Sequence, residues 1–128
     1  MIEGIGLDGG NYVAAKKMMD LIDLNHRANT TNIAHLETPK FQRVQVKEGE
    51  KTDFARYLEN NELSKLQSME FSLEHDPNAK AVRPDGNTVD LEKEVMTMTT
   101  NALDHDLVSR YLTDSLLRVK TAITGKNI

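Results

Sequence analysis

The chain has 128 residues, a net charge of −4, 38% hydrophobic residues, no cysteine and no tryptophan. The missing cysteines exclude disulfides and thiolate metal sites. Residues 1–40, 41–87 and 88–128 carry net charges of −1, −2 and −1, so no stretch offers nucleic acid a basic surface.

The start is loose and glycine-rich, with Gly4, Gly6, Gly9 and Gly10. No strand precedes these glycines and no Gly-Lys-Ser/Thr follows, so they read as a tail and not as a phosphate loop. Met1-Ile2-Glu3-Gly4 lacks the basic and apolar stretches of a secretory signal. Any export is therefore expected to use a route that reads no cleaved peptide. No run approaches the ~18 apolar residues of a membrane span.

A first helix is predicted over about Asn11–His35. Ala14, Met18, Leu21 and Ala28 form its apolar stripe, which Ile22 and Leu24 widen. Asn25 and Asn32 are polar positions in that seam. They either fix register or face solvent. Thr38-Pro39 ends the helix, because proline disfavours helical backbone at the residue before it.

The middle, residues 42–87, is polar and broken. One short amphipathic helix is predicted from Asp53 through Leu66, carrying Phe54, Tyr57 or Leu58, and Leu63 or Leu66. Val44/Val46 and Met69/Phe71/Leu73 alternate with polar residues as short strands do. His75-Asp76-Pro77-Asn78 and Asp85-Gly86-Asn87 read as turns.

The last segment, 88–128, holds the strongest pattern. Leu91, Val95, Met98, Ala102, His105, Ser109, Leu112, Leu116, Val119 and Ile123 alternate spacings of four and three, as an a/d seam does. Leu103, Leu107, Tyr111 and Leu117 form a second stripe beside it. Thr88 or Asp90 can cap the start, Asp90, Glu92 and Glu94 suit the helix dipole, and Gly125 follows the end near Lys120 and Lys126. Such a helix spans roughly 50 Å. The predicted fold is mainly α: long N- and C-terminal helices in a coiled-coil layer, with a small irregular or β-containing middle, forming one structural unit. The longer seam exceeds its partner within the chain, so apolar surface is left for another subunit. Met18, Met19, Met96 and Met98 read as adaptable interface packing.

Catalytic and metal chemistry find no footing. His26, His35, His75 and His105 form no pair at helical spacing, and Asp104-His105-Asp106 point in different directions. Ser109 lies within a helix and no Gly-x-Ser-x-Gly occurs. No enzyme activity, cofactor, metal or small-molecule substrate is expected.

Two segments resemble a known family. Asn32-Ile33-Ala34-His35-Leu36-Glu37-Thr38-Pro39-Lys40-Phe41 is similar to the N-terminal signature of flagellar rod and hook proteins, in which Asn-Ile-Ala-Asn runs into an acidic-Thr-Pro-Gly-Tyr turn. Arg83-Pro84-Asp85-Gly86-Asn87-Thr88-Val89-Asp90-Leu91-Glu92-Lys93-Glu94 looks like the segment opening the C-terminal helix of the flagellar basal-body rod protein B family. His35 and Leu36 depart from the first signature, Phe41 lacks the tyrosine hydroxyl, and Lys40 replaces the glycine that suits positive φ after Pro39. The resemblance implies a non-enzymatic subunit of the proximal rod in the flagellar basal body. It implies export by the flagellar type III apparatus, torque transmission, and contacts with other rod proteins, copies of itself, a rod-base adaptor and the membrane-ring protein. The interface implied by seam and signature comprises Met18, Leu21, Ala28, Asn32, Ile33, Thr38, Pro39, Phe41, Leu91, Val95, Met98, Ala102, Leu112, Leu116, Val119 and Ile123. A cytosolic helical secretion chaperone or adaptor, using the same stripes, is the competing reading.

Overall fold

The computed structural model describes residues 9–125. The glycines expected in the tail at positions 4 and 6, and Lys126, lie outside the described residues. The elements run α1 (Gly9–Ala34), β1 (Val44–Val46), α2 (Glu48–Glu59), α3 (Leu63–Ser68), β2 (Leu73–His75) and α4 (Leu91–Thr124). The fold is mainly helical with a long C-terminal helix and a two-stranded sheet.

The long helices form where the sequence marks them. The Asp90 side chain accepts from the Glu92 and Lys93 amides, closing the start of α4, and Gly125 closes its end at φ 69°. Gly9 and Gly10 join α1, extending it slightly beyond its predicted start. The two helices run antiparallel, because Asn32 meets Glu94 while the Ile22 carbonyl meets Asn101. With 26 residues against 34, α4 is eight residues the longer, about 12 Å at 1.5 Å per residue.

The middle departs from its prediction in two places. The single helix expected from Asp53 to Leu66 is two, α2 and α3, separated by a break in which Asn61 takes φ 52°. Asparagine tolerates the left-handed region, which ends a helix. The second strand lies at Leu73–His75, pairing antiparallel with β1 in the register Val44↔His75, Gln45↔Glu74, Val46↔Leu73. Met69 and Phe71, expected in that strand, pack on the core instead.

That core joins the middle to α1. Leu21 of α1 packs with Val46, Phe54 and Leu66, and Phe71 meets Phe54 edge to face with ring centroids 5.5 Å apart. Burying a side chain such as Phe54 or Leu66 stabilises by about 1.5–3 kcal/mol. Tight polar contacts brace the sheet to α2: Glu50 accepts from the Ser72 amide (2.8 Å) and hydroxyl (2.9 Å). α1 therefore lies between two partners, the middle segment and α4.

Candidate functional site

The final carbonyls of a helix have no partner within it. Those of α1 are met by the His35 and Leu36 amides, and the carbonyls of the turn just beyond, at His35, Leu36 and Thr38, are met by a side chain 49 to 52 positions away. The Asn87 amide nitrogen sits 2.9, 3.0 and 2.7 Å from the carbonyl oxygens of His35, Leu36 and Thr38, and Asn87 is fully buried. Arg83 also donates to the Leu36 carbonyl. The Asn87 oxygen accepts from the Val89 amide at 2.7 Å, so both ends of the side chain are bound. Asp85 fixes the turn by accepting from the Asn87 amide at 3.0 Å.

Backbone bonds extend this clasp. The Lys40 amide donates to the Asp85 carbonyl at 2.9 Å, and the Thr88 amide to the Phe41 carbonyl at 3.0 Å. The Thr88 hydroxyl accepts from the Arg43 amide at 2.9 Å and donates to the Phe41 carbonyl at 3.1 Å. Lys40 adopts φ 59°, so the positive-φ turn after Pro39 is present without glycine. Gly86, at φ 84°, lies opposite; a Cβ there would come within 3.3 Å of the Lys40 Cγ. His35 stacks on Phe41 with ring centroids 4.4 Å apart and planes 4° from parallel.

Below the turn lies a buried polar network. Asn32 is fully buried; its amide donates to the Val44 carbonyl (2.9 Å) and to Glu94 (3.0 Å), and its oxygen accepts from the Val44 amide (2.8 Å). Glu94 is 1% exposed. Its charge is met by the Arg43 guanidinium at 3.0 Å, which also holds Asp76 at 2.6 Å. Burial alone would weaken the Arg43 charge, but the bonds and fields of Glu94 and Asp76 outweigh it and hold the guanidinium above its ordinary pKa. Burial alone would raise the Asp76 carboxyl. The Asn78 amide and Arg43 outweigh that and hold it below its ordinary value. The network ties α1, β1, the start of α4 and the turn after β2 at one point. Sequence reasoning placed Asn32 in a seam but gave Glu94 only a dipole role, and it missed Arg43, Asp76 and Asn101. A lone Asn or Glu on a helix has no sequence signal for a partner sixty residues away.

The faces of α4 divide unexpectedly. Its buried residues are Glu94, Asn101 and Ser115, a polar column turned toward α1 in which the Asn101 amide donates to the Ile22 carbonyl at 2.9 Å. Met98, Leu112 and Val119 are half-buried beside that column. The other apolar seam residues are open: Leu91, in the column of Met98 and Leu112, is 42% exposed, and Val95, Leu116 and Ile123, one position round the helix from the polar column, are 49%, 52% and 78% exposed. Ala102 is exposed too, as are Met96, Leu103 and Leu107 on the outer side. His105 is exposed and Ser109 half-buried.

On α1 the interface candidates are placed differently. Leu21, Ala28 and Asn32 are buried within the chain, and Met18 packs on the core of the middle segment. Ile33 and Phe41 are half-buried, whereas Thr38 and Pro39 are exposed at the turn. Asn25 is half-buried. The clasp thus gathers Asn32, Thr38 and Phe41, with Ile33 and Pro39 beside them along the chain, while the seam residues of α4 line a separate open face.

A groove of about 600 Å³ runs between α1 and α4, floored by Met19, Ile22, Met98 and Ala102 and edged by Asp20, Asp23, His26 and His105. Among the described residues no cluster of three His, Asp or Glu could hold a metal ion, and no helix is long and apolar enough to cross a membrane. Neither protein-family models nor curated proteins match this chain.

Proposed function

We propose that the chain is a structural subunit of the bacterial flagellar basal-body proximal rod. The observation that carries this reading is the clasp. The two segments whose sequences resemble rod proteins, 32–41 and 83–94, lie far apart in sequence and bond directly to one another through Asn87, Asp85, Lys40, Asn32 and Glu94. A shared signature then has a physical reason: each half supplies bonding groups the other lacks.

The division of α4 supports the same reading. Its polar column serves the chain's own fold, and its apolar seam stays available for neighbours in a coiled-coil layer. Leaving Leu91, Val95, Leu116 and Ile123 in water is unfavourable by about 25 cal/mol for each Å² of apolar surface that a neighbour could cover. The partners in this reading are other rod proteins, copies of the chain, the rod-base adaptor and the membrane-ring protein, reached after export through the flagellar type III apparatus. No bond is made or broken; torque passes through helix packing in the periplasmic rod.

Mass spectrometry of basal bodies purified from the source cells tests this. Retention of the chain with the rod proteins after the cytoplasm is washed away is the expected result. Recovery only from the cytosol of flagellated cells would contradict it and favour a secretion chaperone or adaptor.

A further inference from the structure

The open face of α4 is not uniform along its length. Its first half borders the groove whose apolar floor is Met19, Ile22, Met98 and Ala102 and whose α1 edge carries Asp20 and Asp23. No lysine or arginine lines that groove. Asp20 and Asp23 do pair with Lys17 (3.8 Å) and Arg27 (3.1 Å) along α1, but both aspartates are more than 60% exposed and such surface pairs contribute little. They remain available to a closer cation.

The last turns of α4 have the opposite character. Residues 115–125 contain Arg118 and Lys120 and no acid, and α4 outlasts α1 by eight residues. Leu116 and Ile123, seven positions apart and so on one face, are 52% and 78% exposed. Seven-residue spacing also relates Val95 to Ala102, and both lie on this same face.

We infer that these two regions fit each other between copies: the basic, apolar tail of α4 in one chain lies along the acidic-edged α1–α4 groove of the next, parallel and staggered. A shift of three heptads keeps the seam in phase, bringing Leu116 to Val95, Val119 to Met98 and Ile123 to Ala102. It displaces successive copies by about 31 Å and, since Asn101 lies beside Ile22, sets Lys120 level with Thr99, close to the level of Asp23, with Arg118 level with Thr97 nearer His26. Because tail and groove are different surfaces, the contact is heterologous. Each copy leaves one tail and one groove unused, so the array stays open and grows lengthwise. The inference rests on the proposed assembly role and specifies the geometry of contact between identical copies.

The absence of cysteine makes the test direct. Val95→Cys and Leu116→Cys are prepared singly and together as full-length purified chains, concentrated, and oxidised to disulfides. Both sites are about half exposed, so neither change disturbs the core. The mixed single variants should give about tenfold more cross-linked dimer than either alone, and the double variant should give a ladder of multimers. No mixed dimer, or a double variant that stops at a closed dimer, would overturn the stagger. So would efficient self-cross-linking of Leu112→Cys, which marks a two-fold antiparallel pair centred there. The same variants separate this inference from the functional reading. A chain retained in basal bodies without the Val95–Leu116 cross-link sinks the stagger alone. A cross-link in purified protein, with no chain in basal bodies, sinks the rod role alone.

Discussion

The two long helices solve the same packing problem in different ways. α1 spends its apolar residues inside the chain: Leu21 packs on the middle segment, and Ile22 and Ala28 are buried. α4 meets α1 through Glu94 and Asn101, with Ser115 buried in the same column, and leaves much of its apolar seam in water. Internal pairing through polar groups gives direction and register, because each donor must find its acceptor. Apolar residues placed one position away are then free for another contact. α1 acts as the scaffold of the fold, and α4 presents its surface.

This contrast can be broken first at the polar column. Glu94→Ala leaves Arg43 and Asn32 without their shared partner, and removing one member of a buried pair costs about 3–5 kcal/mol. Arg43 is 23% exposed and keeps Asp76 at 2.6 Å, so its charge is not left wholly unpaired and the low end, about 3 kcal/mol, is the most to be expected in urea unfolding. A loss under about 1 kcal/mol would mean that the column does not hold α4 to α1.

Asn87→Ala comes next. It strips the carbonyls of His35, Leu36 and Thr38 of a buried donor and should lower stability by about 1–3 kcal/mol. Amide hydrogen exchange should rise around the end of α1 and the turn at 85–88, with less change at Phe54.

Asp76 sharpens the account through pH. Its folded-state pKa lies below the ordinary value, so the stability it contributes is present above the unfolded pKa and lost as pH falls through the folded one. Acid titration should therefore weaken the protein below about pH 4, and Asp76→Asn should reduce that dependence. Arg43 is shifted upward, so its contribution is lost only above the ordinary arginine range, beyond the acid window.

A smaller effect on stability is expected at Lys40. Its φ of 59° is strained for a residue with a side chain by about 1 kcal/mol, while glycine loses more chain entropy on folding. Lys40→Gly should raise stability by less than about 1 kcal/mol in thermal unfolding.

Much of this was legible in the sequence. Both long helices, the Asp90 cap, the Gly125 end and β1 follow from periodicity and capping chemistry. The break at Asn61 was missed because the apolar spacing continues across it, and spacing alone does not register a single residue entering the left-handed region. The signature segments were visible as strings; their mutual bonding was not, since hydrogen bonds between residues fifty apart leave no local pattern. The α4 seam was legible as an apolar stripe, but which of two adjacent columns faces α1 was decided by the long-range bonds of Glu94 and Asn101. Apolar periodicity cannot show those.

The most direct test of the division between a scaffold helix and a presenting helix is Leu116→Asp, followed by two readings on one variant. Leu116 is 52% exposed, so unfolding free energy should stay within about 0.5 kcal/mol of the parent. In the proposed rod assembly the same charge would be buried without a partner, and retention of the chain in purified basal bodies should be lost. Normal retention with normal motility would contradict the account.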